Sequence, residues 1–329
     1  MSDSLIARYS TTGNPVEVLE LINEVRSQPG PGEIQIQMLF APVNPSDINM
    51  LEGTYGIKAQ LPAVAGNEGC GKVAAVGKDV KNFKVGDLVK PPVTRGTWRQ
   101  SLTCPASECI RLPESLTPEN GAMMYVNPPT AWRMLHDYVD LKPGEWVIQN
   151  AANSAVGRSV IQIAKALGWR TINLVRREEL VAELLALGAD AVLVEDADSA
   201  KKIRELTGKE APRLALNAVG GDSASTLAKC LADGGHHVTY GAMSKQPVKV
   251  ANGLLIFKDL TFHGFWMTRW YRKATPAVLE SLFNELAKLS AAGKLKIAIE
   301  KVYPLSEVKA AVSAALQEKR AGKILLKLD

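Results

Sequence analysis

The stretch from Trp146 to Arg177, WVIQNAANSAVGRSVIQIAKALGWRTINLVRR, restricts the possible folds more than any other part of the chain. It opens with the apolar run Trp146 to Ile148, passes through small residues, and then sets Val156, Val160, Ile163, Ala164 and Leu167 at the spacing of one buried helical face. After Gly168 comes a second run of β-forming residues, Thr171 to Val175. Strand, tight turn, helix and strand make a βαβ unit of the kind that holds a dinucleotide.

The turn departs from the usual G-x-G-x-x-G, because its three positions hold Ala152, Ser154 and Gly157. Ala and Ser are still small enough for a pyrophosphate to approach the backbone, and the amides opening the helix can receive its charge. A plain strand-to-helix turn would look much the same. The end of the second strand separates the two readings. An NAD site wants Asp or Glu about 20 residues beyond the glycine turn, to bind the ribose hydroxyls. This chain has Arg176 and Arg177 there. Two guanidiniums suit a 2′-phosphate, through bidentate charge-assisted hydrogen bonds. NADPH is the expected cofactor, against the alternative of a solvated arginine pair.

With 329 residues and 46% hydrophobic content, the chain is long enough for two globular domains. Its net charge of +5 is spread along the sequence without a basic stripe, which fits anionic small ligands and argues against nucleic acid. Cys70, Cys104, Cys109 and Cys230 form no CxxC pair or zinc-lobe spacing, so free thiols in a reducing compartment are expected. The N-terminal stretch is polar, and no run of about 20 apolar residues follows. The expected location is the cytoplasm, without a membrane partner; the mitochondrial matrix is the alternative if a transit peptide has been removed.

Residues 1–124 read as short strands broken by Gly and Pro, among them 33–40, 71–76 and 87–90. From Pro128 to Leu141 the pattern turns helical. Strands are then expected at 146–151, 171–176, 191–194, 214–219, 236–241 and 261–266, mostly with helices between them. Six such strands make a doubly wound parallel sheet. A helix at 276–292, a strand at 297–303, a helix at 306–319 and the closing KILLKL complete the chain. This tail is expected to rejoin the first domain, whose sheet it would extend. The predicted division is therefore 1–124 with 268–329, and 125–267.

Eight stretches carry a family resemblance: NPSDINMLEGTYG (44–56), LPAVAGNEGCGKVAAVG (61–77), GTWR (96–99), VNPPTAWRML (126–135), QNAANSAVG (149–157), LALNAVGG (214–221), VTYGAMSKQPV (238–248) and FKDLTFHGFWMTRW (257–270). Through them the chain resembles the medium-chain dehydrogenase/reductase superfamily. Within it, the chain is similar to the zinc-free trans-2-enoyl thioester reductases, the group that includes mitochondrial enoyl-[acyl-carrier-protein] reductase. Gly53-Thr54-Tyr55 after NPSDIN and the last two stretches make the match specific. The resemblance implies an α/β protein with a GroES-like β-rich catalytic domain and a Rossmann cofactor domain.

Zinc enzymes of that superfamily carry Cys and His where this chain has Asn44 and Asn67, and an amide is a poor zinc ligand beside thiolate or imidazole. No metal is expected. His236 and His237 should face opposite ways on a strand, and His136 and His263 stand alone in the sequence, so each reads as a structural or surface histidine and not as a ligand. Glu68, in a Gly-rich segment, could hold a loop.

Without a metal, the reducible bond must already be conjugated to a carbonyl. Hydride goes to Cβ of a trans-2-enoyl thioester, negative charge collects on the thioester oxygen, and Cα takes a proton. The resemblance puts Tyr55 opposite that oxygen. A phenol, with an ordinary pKa of about 10, stays protonated at neutral pH and can donate to the oxyanion or to carbon. Which of the two it does is open at this stage, and a structural tyrosine is the bland alternative.

The resemblance also implies a cofactor set. It places Asn127 near the nicotinamide, and Asn153, Ser154, Ala155 and Val156 at the pyrophosphate. Arg176 and Arg177 fall at the 2′-phosphate, although Glu178 replaces a residue that is more often basic. Tyr240, Gly241, Ala242 and Met243 form the strand-end loop beside the nicotinamide; Phe265, Trp266, Met267 and Thr268 face the carboxamide; and Lys323 makes a C-terminal basic contact. Relatives pair through the last parallel strand, so a homodimer is expected. The implied activity is NADPH-dependent reduction of enoyl-CoA or enoyl-ACP in fatty acid metabolism. An NADPH:quinone reductase, or a non-enzymatic NADPH- or RNA-binding relative, is the alternative.

Overall fold

A computed structural model describes residues 3–317 and 321–329. The chain divides into two compact units, Met1–Val126 with Ile297–Asp329, and Asn127–Lys296.

In the first unit, a seven-stranded sheet among the described residues runs Ile299–Pro304, Lys323–Lys327, Glu33–Pro42, Cys70–Val76, Leu88–Lys90 and Ile110–Arg111, with Ser101–Pro105 also paired to Glu33–Pro42. Period-two alternation buries Ile34, Ile36 and Met38 completely. Gly71 is required opposite them, since a Cβ there would stand 2.4 Å from the Gln37 carbonyl oxygen. A smaller sheet joins Leu19–Val25, Asp3–Tyr9 and Ala63–Val64.

The C-terminal tail returns to this unit, with Leu325 opposite Pro42 in antiparallel register. Ile299–Pro304, however, lies parallel to Lys323–Lys327. A parallel pair needs a crossover, and the helix Val308–Leu316 provides it, burying Val308, Ala311 and Val312. The predicted helix extended to 319, and its last residues, 318–319, lie outside the described residues.

The second unit holds a six-stranded parallel sheet in the order Ala191–Val194, Arg170–Val175, Trp146–Gln149, Leu214–Asn217, His236–Thr239 and Thr261–Gly264. Four strands end two residues earlier than the sequence indicates, because their last residues belong to loops. After Gln149, for instance, Ala151 takes φ 48°, which no strand allows. The chain winds outward from Trp146–Gln149 to one edge, then returns beside it with Leu214–Asn217 and winds to the other. The strand order therefore reverses between these two strands, and a ligand of such a sheet binds beyond their carboxyl ends.

The predicted boundary after residue 267 is corrected: residues 268–296 fall in the second unit. The helix Pro276–Ala291 buries Leu282, Phe283, Leu286 and Ala287 there, next to the helix Asn127–His136. Gln162 ties down its exit, accepting from Lys296 N at 2.8 Å and donating to Lys296 O at 3.0 Å. His263 does not stand alone either, since its Nε2 lies 2.8 Å from His236 Nδ1 on the neighbouring strand. His237 points the other way and stacks on Phe262, in line with strand alternation.

Candidate active site

On the second unit, the turn after Trp146–Gln149 is built for close backbone approach. Ser154 caps the helix Ala155–Leu167, its hydroxyl accepting from Gly157 N at 3.1 Å, and the last residue before that cap, Asn153, accepts from Arg158 Nε at 3.0 Å through its carbonyl. A Cβ on Gly157 would fall 2.5 Å from Ala152 O, so helix and turn can approach this closely only with glycine. Val156 is buried beneath the turn, while Asn153, Ser154 and Ala155 are partly open. The first amides of the thirteen-residue helix are thus available to an anion.

Arg176 is exposed just beyond the strand Arg170–Val175, and Arg177, half-buried, meets Glu179 at 3.4 Å. An ion pair this open contributes on the order of 0.2–1 kcal/mol, which a phosphate can readily outcompete. Glu178 stands at the cap of the following helix, Glu179–Leu187. Its carboxylate leaves the anion site with two guanidiniums.

The strand-end loop after His236–Thr239 is held by Tyr240 N donating to Asn217 O and Met243 N donating to Ala218 O, both at 3.0 Å. Gly241 packs against Ala218, where a Cβ would come to 2.9 Å from the carbonyl oxygen. Ala242 is exposed, as is Met243 at 62%. Burial raises the Tyr240 phenol pKa, with Ser154 opposing the shift to a smaller degree. Phe265 and Met267 are buried, Trp266 caps the short helix Met267–Tyr271, and Thr268 in its first turn is partly open. Asn127, 7% exposed, opens the helix Asn127–His136.

Sequence reasoning missed the amides that brace this loop cluster. Asn150 Nδ2 donates to Asn217 Oδ1 at 2.8 Å and to Ser223 Oγ at 2.9 Å, while its Oδ1 accepts from Ala218 N at 2.7 Å. Asn217 Oδ1 also accepts from Val219 N and Gly220 N. On the other side of the same strand, Gln149 Nε2 reaches Gly157 O at 2.9 Å and Asn173 Oδ1 on the neighbouring strand at 2.7 Å. All four amides are fully buried. The signal was available: Asn or Gln ending an apolar run must find partners when buried.

On the first unit, the helix Pro45–Glu52 ends at Gly53, whose φ of 76° reverses the chain. Asn49 O then accepts from Thr54 N at 2.8 Å and from Tyr55 N at 3.1 Å. Tyr55, half-buried, is therefore carried on the C-terminal end of a helix whose Ile48 and Leu51 are buried in the core.

The start of the same helix lies in a polar cluster. Glu68, fully buried, accepts from Asn44 Nδ2 at 2.7 Å and from the Tyr125 and Val126 amides at 2.8 and 2.7 Å. It does hold a loop. Burial raises its pKa to about 7, against the pull of Lys323. Lys323, expected as a cofactor contact, is 6% exposed, and its ammonium donates to Asn44 Oδ1 and, at 3.5 Å, to Val43 O. Asn67 N and Nδ2 both donate to Asp47 Oδ1 at 2.8 Å.

Two family models match the chain: "Alcohol dehydrogenase GroES-like domain" over residues 30–114 and "Zinc-binding dehydrogenase" over residues 155–284. The chain is 42% identical over 324 residues to human mitochondrial enoyl-[acyl-carrier-protein] reductase, covering 97% of this chain and 87% of that protein. Among solved structures, the mitochondrial 2-enoyl thioester reductase Etr1p/Etr2p heterodimer of Candida tropicalis superposes with TM-score 0.92 at 34% identity, covering 99% and 100% of the two chains. An Etr1p complex with NADP and crotonyl-CoA gives TM-score 0.91 at 34% identity, with the same coverage. The expected cytoplasmic location is corrected by these names, since the relatives are mitochondrial proteins.

Proposed function

The chain belongs to the enoyl-[acyl-carrier-protein] reductase family of the medium-chain dehydrogenase/reductase superfamily, and from that premise we propose roles for its residues in reducing trans-2-enoyl thioesters with NADPH. One observation carries the reading: similarity to a reductase of that name extends through both units, over 97% of the chain.

The residues fit the cofactor. The Ser154-capped helix start with its obligatory Gly157 accommodates a pyrophosphate, and Arg176 with Arg177 suits a 2′-phosphate. Asn153, Ala155 and Val156 complete the turn, and Asn127, the loop Tyr240 to Met243 and the segment Phe265 to Thr268 are assigned to the nicotinamide end. When bound, NADPH supplies the hydride that Cβ receives.

Tyr55 does the chain's own chemistry. As charge moves onto the thioester oxygen, a neutral phenol donates a hydrogen bond to it and lowers the barrier. The same O–H is the proton source for Cα, which makes Tyr55 the general acid. The loop after Gly53 suits both tasks, because its backbone is pinned by Asn49 O while the side chain is only half-buried.

We further assign the reaction to fatty acid synthesis and the assembly to a homodimer. Among the described residues, the strand Thr261–Gly264 ends its sheet with one edge unpaired. Nearby, the helix Asn252–Lys258 buries none of its residues and exposes Ile256 at 69% and Phe257 at 83%. A second copy would cover both features. Ile256→Glu with Phe257→Glu should then lower the mass seen in sedimentation, and a wild-type monomer would refute the assignment.

The activity is tested with crotonyl-CoA and NADPH, following NADPH absorbance and the thioester mass. Conversion to butyryl-CoA is expected. Turnover of a quinone without turnover of crotonyl-CoA would favour the quinone reductase alternative.

A further inference from the structure

Asn44 is bonded at both ends of its side-chain amide, and the chemistry of its partners fixes which end is which. An ammonium only donates, so Lys323 must face Oδ1; an ionised carboxylate only accepts, so Glu68 must face Nδ2, here at 2.7 Å. The backbone of the same residue is held as well, Asn44 N donating to Asp47 Oδ2 at 2.7 Å. Lys323 comes from the C-terminal strand, and Glu68 is anchored on the Tyr125 and Val126 amides. The residue that starts the helix is therefore clamped between distant parts of the first unit.

What leaves the other end of that helix is the Tyr55 loop. Eight residues at about 1.5 Å each make a stiff rod of about 12 Å, so a shift or tilt at Asn44 reappears at Asn49, whose carbonyl holds the Thr54 and Tyr55 amides. We propose that Asn44 and Glu68 are positioning residues for the Tyr55 phenol: the charge-oriented amide between Lys323 and Glu68 fixes the helix whose far end presents it. The proposal rests on the role given to Tyr55 above.

The clamp has a chemical weak point. A proton on the Glu68 oxygen facing Asn44 sets one donor against another. Turning the amide to bring its oxygen to that proton turns its NH2 toward the Lys323 ammonium, and leaving it in place keeps only the weak acceptor of a hydroxyl. One protonation thus weakens the clamp either way. Burial places the Glu68 pKa at about 7, where this exchange falls in the working range. The other titratable groups facing Glu68 are Lys323, Lys90 on the strand Leu88–Lys90, Tyr125 and Cys70; Asp47 faces Lys323 from the helix. Lys90, held down to about 8 by burial, titrates at the alkaline edge of the range concerned, and Asp47, raised to about 6, at its acid edge.

Glu68→Gln imitates the protonated state, keeping an oxygen for Tyr125 and Val126 while offering an NH2 to Asn44. The readout is the single-turnover rate of NADPH oxidation with crotonyl-CoA from about pH 6 to pH 8, beside the NADPH Kd from fluorescence. The wild-type rate should rise by up to about tenfold from pH 6 to pH 8, the most that one group of pKa about 7 allows over that range, because misplacing a reacting group by about 1 Å costs up to about 10²-fold. E68Q should stay at the acid-limb rate throughout, with the NADPH Kd unchanged, and E68Q with Tyr55→Phe should be no slower than Tyr55→Phe alone. A flat wild-type profile, a wild-type rate in E68Q, or a double variant slower by the full E68Q factor would each overturn the proposal. If E68Q does not fold, the wild-type and Y55F profiles decide: a limb in the first and not the second supports it, and the same limb in both sinks it. A normal rate in Y55F would instead remove the role of Tyr55 itself.

Discussion

Asn150 donates its side-chain N–H to Asn217 Oδ1 across 2.8 Å, joining the two strands between which the parallel sheet reverses its order. This is where such a sheet receives its ligand, and the pair also fixes the Ala218, Val219 and Gly220 amides. Neither side chain is exposed.

Asn150→Ala strands the Ala218 amide in the interior and removes the donor shared by Asn217 Oδ1 and Ser223 Oγ. Leaving buried groups unpaired costs about 1–3 kcal/mol each, so the variant should melt well below the wild type in urea and bind NADPH more weakly. Unchanged melting and an unchanged NADPH Kd would show that the amide pair braces nothing.

Arg176 and Arg177 are predicted to discriminate between cofactors. Replacing both by Ala should weaken NADPH by about 1.5–3 kcal/mol for each charged hydrogen bond lost while leaving NADH nearly unaffected. Titration of both cofactors by fluorescence checks this. Equal losses for the two would refute the phosphate assignment.

Much of this architecture was legible in the sequence. Five of the six parallel strands start where the apolar runs start and the sixth, Arg170–Val175, starts one residue early, because hydrophobic periodicity records burial. Strand ends were less legible, since Asn150 and Ala218 belong to apolar-looking runs yet serve as loop. The helix Pro276–Ala291 was assigned to the wrong unit because an amphipathic face says that it packs and not against what. At the site, a family pattern marks Lys323 as a basic residue, and only the fold shows its ammonium on Asn44.

Glu68 and Asp47 predict a pH signature in stability. Burial raises Glu68 from 4.5 to about 7 and Asp47 from 3.8 to about 6. Between the two values of each, the folded state holds a proton that the unfolded state has released. Their contribution is therefore complete below the lower value and is lost as pH rises through the upper one. His136, His236, His237 and His263 are all shifted down by burial and act in the opposite sense, so a single melting curve mixes the two trends. The difference between wild type and E68Q isolates Glu68. From about pH 5 to pH 7.5 it should move against the wild type by on the order of 3 kcal/mol in urea melts. A difference that is constant, or that moves in favour of the wild type, would contradict the assignment.

The most direct test of the account is the rate of Tyr55→Phe on crotonyl-CoA with NADPH. The variant loses one hydroxyl and keeps the ring, so NADPH affinity should stay at the wild-type value while turnover falls by roughly 10²-fold or more. Turnover within a few-fold of wild type would contradict the claim that the Tyr55 phenol serves the developing oxyanion and supplies the proton.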